Sequence, residues 1–72
     1  MRAKETVQGL LNQTGIVLDG TAPWNPHIYN ERFYKRVLVH GPLGLGESYM
    51  DGWWGVEALD QFLYKLLIAD LS

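Results

Sequence analysis

The run GLGESYMDGWW, from Gly44 to Trp54, sets two carboxylates and a serine among three glycines and two tryptophans. Glu47 and Asp51 are spaced i, i+4, so a short helix over residues 45–51 places both carboxylates on one face. That geometry suits general acid–base work or a divalent cation. A metal or a general base wants more converging ligands, and the only histidines, His27 and His40, lie in other segments. The competing reading is structural: Glu47 caps or bonds backbone amides near a Gly44–Gly46 turn, while Leu45, Tyr49, Met50, Trp53 and Trp54 supply core. The lack of further ligands favours the structural reading, with no metal site and no catalytic residue in this chain.

The glycines raise a second possibility, because glycine-rich backbones at a helix start cradle phosphates. Gly41-Pro42-Leu43-Gly44-Leu45-Gly46-Glu47 lacks the lysine and hydroxyl of a P-loop, departs from the dinucleotide spacing, and puts Glu47 where an anion would sit. Ser48 with His27 or His40 and Asp51 formally supplies a nucleophile, a base and an acid, but no glycine-flanked serine elbow is present. The glycosylation match at Asn12-Gln13-Thr14 says nothing without a secretory signal.

Composition narrows the classes further. A chain of 72 residues has room for one small core and leaves little space for a large active-site cleft. Hydrophobic residues at 47% and charged residues at 19% lie in the globular range, so the chain is expected to fold. The absence of cysteine removes disulfides, thiolate metal sites and cysteine nucleophiles. The start MRAKETVQ lacks a signal peptide's apolar stretch, and no apolar run approaches the ~20 residues of a membrane span, so a cytoplasmic, soluble chain is expected. A net charge of −2 argues against nucleic acid as a partner.

The elements that would carry these residues can be read in order. Val7, Leu10 and Leu11 follow helical spacing from Ala3 to Thr14, and Gly15 sits where a left-handed stop belongs. Ile16 to Gly20 reads as a strand ending in an Asp-Gly turn, with His27-Ile28-Tyr29 returning as its partner. The same stretch from Ile16 to Leu18 equally fits a loop laid against the helices. Asn30 is an N-cap for a helix to about His40, closed by Gly41-Pro42. On that helix Phe33, Tyr34, Val37 and Leu38 share one arc; Arg32, Lys35 and Arg36 share the other, with Val39 among them. A last helix is expected from Val56 or Glu57 to about Ala69, with Val56, Leu59, Phe62, Leu63, Leu66 and Leu67 in one stripe and Ile68 opposite. Asp70, near the negative end of the helix dipole, is expected to fray or stop it. The fold class expected is α+β: a small helical domain of about four helices with a short two-stranded β element.

The succession FYKRVLVHGPLGLGESYMDGWW, Phe33 to Trp54, followed by a leucine-rich helix, resembles the amino-terminal domain of the cyclopropane-fatty-acyl-phospholipid synthases. The preceding IVLDGTAPWNPHIYN is similar to that family's helix, strand, Asp-Gly, strand arrangement, so the resemblance covers nearly the whole chain. Asn30-Glu31 stands where the family commonly carries an asparagine-proline or aspartate-proline, and Pro42 where a serine is common.

The resemblance implies a parent enzyme that moves a methylene group from S-adenosylmethionine to an unsaturated acyl chain of a membrane phospholipid. Its Rossmann-like catalytic domain, with the cofactor glycines and a bicarbonate site, is absent from these residues. This chain is then expected to be one accessory domain, residues 1–72, with no cofactor and no activity of its own. Gly44, Gly46, Glu47, Tyr49, Asp51, Gly52, Trp53 and Trp54 are expected as a structural turn, and Arg32, Lys35, Arg36 and Val39 as a surface for lipid or for another domain. Partners implied are its own catalytic domain, a membrane phospholipid surface and a second parent subunit, at the inner face of the membrane. An alternative is an autonomous acyl-chain binder beside Trp53 and Trp54. A further reading has Glu47 and Asp51 reaching into the parent's active site.

Overall fold

The computed structural model describes residues 3–71 and shows four α-helices with a two-stranded antiparallel sheet, the α+β arrangement expected. Helix α1, Ala3–Leu11, tightens into a 3₁₀ turn over Asn12–Thr14 and stops at Gly15, whose φ is 81°. Thr14 seals this end: its Oγ1 donates to the Leu11 carbonyl at 2.6 Å and accepts the Ile16 N–H at 3.0 Å.

The strand expected over Ile16–Gly20 is not formed; the alternative, a loop over Ile16–Leu18 laid against the helices, is what the structure shows. Side chains occupy the backbone groups a neighbouring strand would use: Gln8 donates to the Ile16 carbonyl at 3.0 Å and accepts the Leu18 N–H at 2.8 Å. Asn25 Oδ1 accepts the Val17 N–H at 2.8 Å. The segment keeps a strand's alternation, with Ile16 and Leu18 buried and Val17 outside, so it is an extended loop lying on the helices.

Asp19 then turns the chain with a left-handed backbone, φ 57°, a conformation aspartate tolerates better than most residues. Its carboxylate takes the Ile28 N–H at 2.8 Å through Oδ1 and Lys4 Nζ at 3.1 Å through Oδ2. Strand β1, His27–Ile28, is where the sequence places a strand, but its partner β2 is Trp54–Gly55, in register His27↔Gly55 and Ile28↔Trp54. Two N–H groups, from Tyr29 and Asn30, converge on the Trp53 carbonyl at 2.8 and 3.2 Å and extend the link.

Helix α2, Arg32–His40, begins two residues after Asn30, whose Oδ1 accepts the Arg32 N–H at 2.9 Å as a cap does. It ends at Gly41, φ 60°, and Pro42 opens α3, Pro42–Met50, where a missing N–H costs nothing. Gly44 and Gly46 therefore lie inside a helix, which corrects the Gly44–Gly46 turn. The reason at Gly44 is proximity: a Cβ there would run into the Arg36 carbonyl oxygen of α2. Gly46 faces open space. Gly52, φ 75°, turns the chain toward β2.

Helix α4, Leu59–Leu71, starts later than Val56 because Trp54–Gly55 is committed to the sheet and the Ala58 N–H to the Pro23 carbonyl at 2.9 Å. Its backbone stays helical through Asp70, where an end was expected; the Asp70 side chain lies outside the described residues. Val7, Ile16, Leu18, Phe33, Tyr34, Trp54 and Phe62 form the core, with Leu59 and Leu66 packed on it. Leu63 and Leu67 leave the stripe expected for them and face outward. Met50, expected in the core, is 85% exposed.

Two outcomes test this account. Gly44→Ala should destabilise the chain by about 1–3 kcal/mol through overpacking, while Gly46→Ala should be neutral or stabilising by up to about 1 kcal/mol, both read from urea midpoints. The second concerns Asp19. Burial alone would raise its carboxyl, but the Ile28 N–H, the Lys4 bond and charge and the His27 charge outweigh burial and hold it below its ordinary value. A depressed carboxylate stabilises the fold above its unfolded pKa of about 3.9 and loses that contribution as pH falls through the folded value. Asp19→Asn keeps an acceptor for Ile28 and tolerates the left-handed backbone. Its urea midpoint should therefore lie below that of the parent chain at neutral pH, and the gap should shrink on acidification.

Candidate functional site

The aromatic end of the glycine run is built around Trp54, which is 4% exposed. Its ring centroid lies 5.0 Å from Tyr49, 5.1 Å from Phe62 and 6.1 Å from Phe33. The indole N–H donates to the Leu45 carbonyl and to Ser48 Oγ, both at 3.1 Å. Ser48 is fully buried and donates a hydrogen bond from its hydroxyl to the Leu45 carbonyl at 3.0 Å, so the hydroxyl serves the indole and no histidine. Tyr49 packs on Trp54 at a tilt of 57° and, expected in the core, is instead 42% exposed.

The two carboxylates part company. Asp51, just beyond α3, accepts from Arg36 Nη1 at 2.9 Å. Glu47 sits on the exposed side of α3, along the line of Leu43 and Met50. Among the described residues no group of three histidine, aspartate or glutamate side chains is placed to hold a metal ion.

The basic face of α2 does gather. Arg32, Lys35, Arg36, Val39 and His40 line an open groove of about 330 Å³ whose remaining wall is Trp53. Arg36 is committed within it: besides its bond to Asp51, its guanidinium lies 4.2 Å from the centroid of the Trp53 ring. This cation–π contact fixes the half-buried indole against α2. The ion pair is partly solvated, with the two side chains 30% and 50% exposed, so it orients more than it stabilises. Sequence spacing placed the cations and Val39 on one face and missed Trp53 and His40. For His40 the signal was present, since it lies one helical turn beyond Arg36.

A second groove, of about 370 Å³, opens between the 3₁₀ turn at Gln13–Thr14 with Trp24 and helix α4, where Lys65 Nζ stands 4.4 Å over the Trp24 ring. No sequence signal pointed to it. Beside it α4 turns an apolar side outward: Leu63, Tyr64, Leu67 and Ile68 are all exposed, Tyr64 at 65% and Leu67 at 61%. At 100° per residue these four continue the apolar stripe of buried Phe62 and partly buried Leu59 and Leu66 around to the solvent side, with Asp60 among them and Gln61 and Lys65 on the remaining face. No helix of the described residues is long and apolar enough to cross a membrane.

No family model matches this sequence. Two curated relatives do, the cyclopropane-fatty-acyl-phospholipid synthases of Escherichia coli strain K12 and strain O6:H1, each 53% identical over 63 residues. The match takes in 88% of this chain and spans 16% of the length of either relative. The resemblance carried by Phe33 to Trp54 thus holds across most of the sequence: this chain is homologous to the amino-terminal region of cyclopropane-fatty-acyl-phospholipid synthase.

Proposed function

We propose that this chain is a non-catalytic accessory region of a cyclopropane-fatty-acyl-phospholipid synthase-like enzyme. In that role it supports methylene transfer from S-adenosylmethionine to unsaturated acyl chains of phospholipids by docking on the catalytic part and by resting on the inner face of the membrane. The observation that carries docking is α4, whose outward side chains Leu63, Tyr64, Leu67 and Ile68 carry its apolar stripe round to the solvent side, where it is uncovered. An apolar stripe of that width is ordinarily covered by a partner. The occupant we assign to it is the catalytic remainder of the synthase, in the same polypeptide or a second subunit.

The glycines at 41, 44 and 46 do not fit a cofactor loop, because they end α2 and lie within α3 instead of joining a strand to a helix. S-adenosylmethionine and bicarbonate therefore belong, in this reading, to the rest of the enzyme. Lipid association is assigned to the Arg32, Lys35, Arg36 and Val39 face. An autonomous acyl-chain binder would need an apolar cavity beside the two indoles, whereas Trp54 is enclosed by other rings and Trp53 borders a groove rich in basic side chains.

The test places Leu67→Glu in a synthase carrying this region and measures methylene transfer to phospholipid vesicles. Activity should fall roughly tenfold or more, since a carboxylate would be forced into an apolar joint. The thermal midpoint of this chain alone should barely move, because exposed substitutions usually cost within about 0.5 kcal/mol. Full activity in the substituted synthase would remove the docking assignment.

A further inference from the structure

The groove beside Trp53 carries more than a diffuse positive charge. Its three cations are not equivalent. Arg36 is held by Asp51 at 2.9 Å and lies on the indole at 4.2 Å, which leaves it little freedom to turn toward a ligand. Arg32 and Lys35 are exposed, sit three residues apart on the same helix face, and have no carboxylate within ion-pair distance among the described residues. Glu31, just ahead of Arg32, is exposed and is not part of the groove lining. Two neighbouring cations with a shared open space between them match one phosphate.

The rest of the lining says what kind of phosphate. Val39, 64% exposed, shares the groove with the cations, and the half-buried indole of Trp53 forms its wall. Apolar and indole surface at the level of lysine and arginine heads is the arrangement of a lipid headgroup boundary. A soluble phosphate ligand is ordinarily enclosed by backbone N–H groups at a helix start, and this groove is made by side chains along a helix flank. Nucleic acid would call for an excess of basic charge, and the chain carries −2.

We propose that Arg32 and Lys35 grip the phosphate of one anionic membrane lipid in this groove, with Trp53 beside it at headgroup depth and the Arg36–Asp51 pair holding the indole in place. The proposal rests on the lipid association assigned to this face above, and turns a charged surface into a site with two ligand-holding residues and two positioning ones.

The experiment is co-sedimentation of the chain with phosphatidylglycerol vesicles, with phosphatidylcholine vesicles as the neutral arm. Arg32→Gln and Lys35→Gln should each weaken binding to phosphatidylglycerol roughly fivefold, the effect of about 1 kcal/mol for one cation at an anionic surface. Lys65→Gln, a charge in the other groove, should change it less than about twofold, and added salt should weaken it throughout. In a Trp24→Phe chain, where Trp54 is enclosed, the emission should shift to the blue with phosphatidylglycerol vesicles and stay unmoved in millimolar inorganic phosphate. The sedimentation arm does not depend on that variant folding. Equal losses from all three charge substitutions would overturn the site while leaving lipid association standing. A shift with inorganic phosphate would overturn the membrane as its source. No binding to phosphatidylglycerol would overturn both this site and the lipid association assigned to the face, and would leave the docking of α4 to its own test.

Discussion

The buried indole of Trp54 is the joint on which the molecule depends. One side chain contacts rings from α2, α3 and α4, and its own backbone belongs to β2. Enclosing about 200 Å² of indole is worth on the order of 5 kcal/mol before entropy is counted, comparable to the whole stability of many small domains. Such burial is tolerable only if the N–H is satisfied, which explains why the fully buried Ser48 and the Leu45 carbonyl both face it. The mixture in GLGESYMDGWW follows from this: small residues and one hydroxyl let a large ring close three helices together.

Local chemistry was legible in the sequence, and chemistry between elements was not. Gly15, the Asn30 cap and Gly41-Pro42 act within a few residues of themselves, so helix limits there were readable. Helix α3 was half readable: a short helix over 45–51 was in view, but its start at Pro42 was obscured because Gly44 and Gly46 argue against helix by propensity, and the close approach of Gly44 to the Arg36 carbonyl is a fact about a second helix. The β pairing was half readable. His27–Ile28 carries a strand signal, but Trp54–Gly55 is too short to show a period, and the claim of Ile16–Leu18 on that role was undone by Gln8 and Asn25 from elsewhere in the chain. Likewise the cations of α2 announced themselves by spacing, while the stacking of Arg36 on Trp53 and its bond to Asp51 join three separate elements.

The two outward faces divide the surface by chemistry. α2 presents charge beside an indole, and α4 presents leucine, tyrosine and isoleucine. Because α2 and α3 touch backbone to backbone at Gly44, and Trp54 binds both to α4, neither face can shift without disturbing the core. The two faces are thereby kept at a fixed mutual orientation.

The extended segment Ile16–Leu18 has a consequence of another kind. A run of consecutive aliphatic residues outside any helix or sheet is the sort of stretch that can pair with a neighbouring molecule when its backbone groups are free. Here the carboxamides of Gln8 and Asn25 already fill the positions such an intruder would take. These two amides act as stoppers along the ribbon, so that three of its backbone groups are already taken when another molecule approaches.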